Sequence, residues 1–194
     1  MHTHASLLSF ALACGVAGAG ISHDESVDGD LSSDPNAPTA LVFMLGANTV
    51  SGTVRQSNSP TGDRDYLTFT VGAGQRLSAL NLLAYSPDNP GFAAFNTGAT
   101  SFIPDATTDA SFLSGILPEA SQVGTDLMPA FVSDAVTTNS LSNAWLGAGT
   151  YTFMIQQTTN VEQAYALEFV ITPTPGGAAL LGIAGMGAIR RRRA

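Results

Sequence analysis

Asp63-Arg64-Asp65-Tyr66-Leu67-Thr68-Phe69-Thr70-Val71 alternates along its length: Leu67, Phe69 and Val71 fall on one side of an extended chain, and Tyr66, Thr68 and Thr70 on the other. Successive side chains of a strand point to opposite faces, so this period of two, filled with aromatic and β-branched residues, specifies a half-buried strand. The pattern returns in the last third of the chain. Tyr151, Phe153 and Ile155 alternate with Thr152, Met154 and Gln156, a polar turn spans Asn160 to Gln163, and Tyr165, Leu167, Phe169 and Ile171 complete a hairpin. Gly72-Ala73-Gly74 and Gly147-Ala148-Gly149 supply turns beside these strands.

Working outward, Leu41 to Leu45 is an apolar run, Asn48 to Arg55 alternates around Gly52, Gln75 to Tyr85 is extended, and Pro87-Asp88-Asn89-Pro90-Gly91 interrupts before a strand-like Phe95 to Phe102. Thr108 is placed to cap a short helix carrying Phe112, Leu113, Ile116 and Leu117 on one side and stopped by Pro118, lying over a sheet edge or the end of the fold. Many short strands with Gly and Pro turns predict an all-β sandwich of about eight strands in two sheets, with one short helix. The sandwich is expected over residues 40–172. Before it, residues 20–39 carry Asp24, Glu25, Asp28, Asp30 and Asp34 with Pro35 and Pro38, and read as a flexible acidic lead-in.

The two ends of the chain differ in kind from its middle. Met1 to Ala19 holds an apolar stretch, Leu7 to Val16, then Ala17-Gly18-Ala19, which suits a signal peptidase; cleavage is expected between Ala19 and Gly20. Cys14 is the sole cysteine. It is a candidate lipid acceptor, although the simpler reading leaves it in a discarded signal. The other end runs Pro173-Thr174-Pro175-Gly176-Gly177, a short apolar segment Ala178 to Ile189, and Arg190-Arg191-Arg192-Arg193. Three readings compete for it. A surface helix would carry polar residues at helical spacing, and a permanent span needs about 20 apolar residues, so a transient membrane signal fits best.

This three-part layout resembles the PEP-CTERM sorting signal of exported bacterial proteins. Leu180-Leu181-Gly182 and Arg190–Arg193 match that pattern, whereas Thr174 stands where the family motif has glutamate. The resemblance implies export, an exosortase-type membrane protease acting near Pro173–Gly177, and a location in the envelope, at the cell surface or outside the cell. It covers residues 173–194 and concerns sorting alone.

A second resemblance rests on Asp63 to Val71 together with Leu146-Gly147-Ala148-Gly149-Thr150-Tyr151-Thr152-Phe153 and Tyr165-Ala166-Leu167. These strands look like those of the bacterial pre-peptidase C-terminal domain, over about Val50 to Thr172. Asp88 to Asn143 is longer and less regular than that family's pattern. The resemblance implies a jelly-roll-like sandwich, an accessory role in secreted proteins, and in some members calcium or extracellular polysaccharide as ligand.

Composition narrows the chemistry. The chain has fifteen acidic residues and no lysine, and outside the tail its basic residues are Arg55, Arg64 and Arg76, so the middle carries a net charge of −12 against −8 for the whole. Such a surface repels nucleic acid, whose binding needs cations against phosphate. Beyond the signal the only histidine is His23, which leaves no materials for a Ser-His-Asp or histidine-zinc site within the sandwich. Paired carboxylates remain; Glu119, Glu162 and Glu168 are the candidates for a glycosidase pair, and Glu168 reads most simply as a solvated strand residue.

Asp63 and Asp65, two apart at the mouth of a strand, can share a hard cation such as calcium if other oxygens converge. The simpler expectation is that Asp63 bonds the turn backbone while Asp65 pairs with Arg64 or Arg76 or faces water. Trp145, the lone tryptophan, is read either as a sugar-stacking residue or, more simply, as core packing. Two function classes follow. The first is an exported, non-enzymatic surface or matrix protein, and the second a secreted carbohydrate- or calcium-binding module; a secreted hydrolase is a third that needs two close carboxylates in a cleft.

Overall fold

The computed structural model describes residues 20–55, 62–89, 91–100 and 112–175. The expectations for Cys14, Ala17, Ala19, Thr108, Gly176 and Arg190–Arg193 lie outside the described residues.

Among the described residues nine strands lie in two sheets. One sheet has the order β1 (Gly20–Asp24), β3 (Gly46–Val54), β9 (Gln163–Pro173), β5 (Gln75–Ser86). The other runs β2 (Thr39–Ala40), β4 (Arg64–Val71), β8 (Gly149–Gln157), β6 (Gly91–Thr97), β7 (Ser114–Ile116). Pairing is antiparallel except at one edge of each sheet, where β1 joins β3 and β2 joins β4 in parallel. The expected all-β sandwich is present, and no helix among the described residues is long and apolar enough to cross a membrane.

The alternation seen in the sequence sets the register. On β4, Leu67, Phe69 and Val71 are buried, and they meet Val50, Leu80, Leu167 and Phe169 from the opposite sheet. Phe169 stands edge-on to Phe69 at 5.6 Å and to Phe153 at 5.4 Å, while Phe95 and Phe153 lie 5.0 Å apart. Each such pair adds about 0.5–1.5 kcal/mol beyond its buried area. Aromatic packing thus adds to the aliphatic burial that holds the two sheets together. Tyr66, on the other face of β4, is also buried, in a small cluster with Ala94, Phe112 and Met154.

Three expectations are corrected. Ser114–Ile116, expected as helix, is strand β7: Ile116 pairs with Ala93, Gly115 with Ala94 and Ser114 with Phe95. The edge of β6 presents unpaired N–H and C=O groups, and a strand satisfies them where a helix does not. The helix that covers this region is instead α2 (Ala130–Ser133), whose Phe131 packs 4.9 Å from Phe95. Second, the apolar run Leu41–Leu45 is not itself a strand; it crosses from β2 in one sheet to β3 in the other.

Third, residues 20–39 are part of the fold rather than a lead-in to it. β1 pairs with β3, the four-residue helix α1 (Glu25–Asp28) follows, Leu31 is 1% exposed in the core, and Tyr66 N–H donates to Ser32 C=O at 2.9 Å. A single well-placed leucine and a set of backbone bonds anchor a segment whose composition is otherwise that of a linker.

Candidate functional site

The segment from β1 to Ser32 passes from one sheet to the other across one end of the sandwich, and its acidic residues close over a cleft there. Asp24 caps α1, its Oδ1 accepting from Ser26 N–H at 3.0 Å and from Ser26 Oγ at 2.7 Å. Gly29, at φ +90°, makes the turn that follows, and His23 Nε2 donates to its carbonyl at 2.8 Å. The histidine thus braces a turn.

Glu25 is directed inward. Its Oε1 accepts from Leu31 N–H at 3.1 Å and its Oε2 from Thr53 N–H at 2.8 Å. A Cβ on Gly52 would collide with this carboxyl, so the glycine in the middle of β3 is what lets Glu25 approach the sheet.

Beneath Glu25 lies Asp65. It stands on the inner face of β4, two residues before Leu67, and is 0% exposed. Tyr165, on the inner face of β9, donates its hydroxyl to Asp65 Oδ2 at 2.6 Å, a bond that spans the two sheets. Oδ1 of Asp65 is buried and has no partner. The expectation that Asp65 pairs with Arg64 or Arg76 or faces water is overturned: the period-two alternation that turns Leu67 inward turns Asp65 inward as well.

Carboxylate oxygens of Glu25, Asp30 and Asp65 lie within 4.8 Å of one another. Asp63 borders the same cleft of about 600 Å³, together with Asp24, Ser26, Ser51 and Tyr165, and its Oδ1 accepts from Ser33 Oγ at 3.2 Å. Burial, reinforced by the charges of Glu25, Asp63 and Asp30, pushes the Asp65 carboxyl up to about 9. Burial also raises Glu25 and Asp63, and lifts the Tyr165 hydroxyl well above its ordinary value. Without a counter-charge Asp65 therefore holds its proton at neutral pH.

What this arrangement does chemically is gather hard oxygen donors. Histidine and cysteine are absent from the cluster, which disfavours zinc and copper, and several carboxylates of unequal reach around an open cleft suit calcium better than the strict octahedron of magnesium. An orphaned buried oxygen beside two more carboxylates is the kind of group a cation satisfies.

The other candidates fall apart spatially. Glu162 pairs with Arg55 at the surface, Glu168 accepts from Asn81 Nδ2 at 2.7 Å on β9, and Glu119 accepts from Ser121 Oγ at 3.3 Å beside a 3₁₀ turn at Ala120–Gln122. Each carboxylate has a local partner. Among the described aromatic residues Trp145 alone is exposed, at 40%, so it stands clear of the core and no row of aromatics forms on a sheet face. Pro173 ends β9, and Thr174 N–H donates to Gly74 C=O at 2.8 Å.

Two members of the acidic cluster, Glu25 and Asp30, went unread in the sequence because they sit in a stretch that looks like a linker. The usable signal was Leu31, a large apolar residue just after the four carboxylates Asp24, Glu25, Asp28 and Asp30. Compared with known proteins, the chain matches no family model and no curated protein.

Proposed function

We propose that the chain is an exported, non-enzymatic surface or matrix protein whose sandwich is a calcium-binding accessory module. The observation that carries the cation reading is the buried, unpartnered Oδ1 of Asp65, with carboxylates of Glu25 and Asp30 within 4.8 Å. Asp63 borders the cleft as a fourth acid. Sites of this kind in extracellular modules bind calcium at about 10⁻⁴–10⁻³ M, which matches an exported protein that meets calcium outside the cell. Export itself is supported by the signal-like segment 1–19 and by the Pro-rich, apolar and Arg-rich tail resembling the PEP-CTERM signal. Signal peptidase and an exosortase-type protease are the partners this reading names. We read the sandwich as the jelly-roll-like, pre-peptidase C-terminal type, on the strength of the strand motifs alone.

The test is a thermal melt in calcium chloride against a chelator. Calcium at ten times its dissociation constant is expected to raise Tm by about 5 °C, with magnesium weaker and with Asp65→Asn unresponsive. Equal melting curves with and without calcium overturn the cation reading. Intact mass of the protein from its host checks sorting: a chain from about Gly20 to near Pro175 supports processing at both ends, and the whole tail recovered in the membrane fraction opposes it.

A further inference from the structure

Both terminal segments leave the sandwich at the end opposite the acidic cleft. β1 runs parallel to β3 with Gly20 opposite Asn48, and β9 ends with Ile171 opposite Gly46. The cleft lies where Gly52 faces Tyr165, six residues away along β3, or about 20 Å at the strand rise.

The exit end is built from Leu41–Leu45, Gly72–Gly74 and the loop that leads into β8. Leu146 bonds to Leu77, which pairs with Ile171, so Trp145 belongs to the same end. Residues 41–45, 72–74 and 145–148 hold no acidic residue, and the neighbouring charge is Arg76. They present Val42 at 83%, Met44 at 68% and Leu45 at 46% exposure, and Trp145 is exposed at the same end.

These side chains are held outward on a fixed backbone. Phe43, between Val42 and Met44, is turned in, its ring 4.9 Å from both Phe69 and Phe169. Asn48 accepts from Met44 N–H at 2.7 Å and donates to Met44 C=O at 2.9 Å.

We propose that, before the tail is cut, this end is the face with which the protein rests in the interfacial layer of a lipid bilayer, Val42, Met44, Leu45 and Trp145 entering it. The proposal rests on reading the terminal apolar segments as membrane-engaging. Only Gly176 and Gly177 separate Pro175 from Ala178, a reach of about 11 Å, so a segment in lipid holds this end against the surface. Anionic headgroups repel the acidic cleft, and tryptophan favours the interface. The cation cleft then faces away from the membrane.

Trp145 reports directly, being the only tryptophan. The full chain is mixed with phosphatidylcholine–phosphatidylglycerol vesicles with and without brominated acyl chains, and binding is scored by flotation. Bound chain is expected to show roughly twofold lower Trp145 emission with brominated lipid, as an interfacial tryptophan does. The Val42→Asp/Met44→Asp variant is expected to float and melt as the parent does but to lose most of the quenching. Flotation without quenching, or equal quenching of the variant, overturns the assignment of the face and leaves the terminal segments' reading intact. Absence of flotation overturns both. A lipid-free dimer that the double substitution splits gives the face to a second copy and overturns the bilayer proposal.

Discussion

At one end of the β3–β9 pair, Glu25, Asp30 and Asp65 converge, and at the other Val42 and Met44 project beside the point where the chain leaves. Both ends are formed by segments crossing between the sheets, residues 20–32 and 41–45, so the difference lies in what those crossings carry. In the first, one leucine is buried and Glu25 is drawn inward with it; in the second, Phe43 packs partly buried against the core and its apolar neighbours are left outside. The lesson is that a single core anchor fixes a crossing, and that the residues on either side of the anchor decide whether that end attracts a cation or an apolar phase.

The contrast breaks most sharply if the anchor is removed. Leu31→Ala is expected to destabilise the fold by about 2–5 kcal/mol, the range for truncating a fully buried leucine, and to abolish the calcium response as Glu25 and Asp30 lose their frame; denaturant melts with and without calcium check both. Gly52→Ala comes next. Its methyl group displaces the Glu25 carboxyl from the Leu31 and Thr53 amides, for about 1–2 kcal/mol of stability, and calorimetry should show much weaker calcium binding with the core unchanged.

Acidity separates the ends by a smaller increment. Asp65 has its folded pKa raised to about 9 from 3.8, so its contribution is whole below about pH 4 and is lost as pH rises toward 9. Between those values the unfolded chain binds fewer protons than the folded one. In chelator, stability should therefore fall with pH by at most about 1.4 kcal/mol per unit, and Asp65→Asn should flatten the slope. The smallest effect is expected at the other end: Val42→Ser with Met44→Ser should change stability by less than about 0.5 kcal/mol, leave the calcium response untouched, and add to Asp65→Asn without coupling.

Legibility followed periodicity. β4, β8 and β9 were readable because their alternation is filled by residues that tolerate only one face, and the structure buries Leu67, Phe153 and Phe169 accordingly. Ser114–Ile116 was misread because its apolar spacing suits a helix as well as a strand, and the unpaired edge of β6 settled the matter. Asp65 was noticed as an acid at a strand mouth, yet its inward direction was already implied by the alternation of its neighbours. Glu25 and Asp30 were hidden in a polar stretch with no periodicity, and their approach to Asp65 depends on contacts far along the chain.

The sequence by itself determined the fold class, the charge and the distinct character of the two ends, because period, composition and terminal segments are local properties that need no partner to be expressed. Only the tertiary structure decided that residues 20–32 close over Asp65, that Tyr165 reaches it across the sheets, and that the acidic and apolar ends stand opposite one another. Those are outcomes of strand order and register, which are set by which faces can be buried together and not by any segment alone.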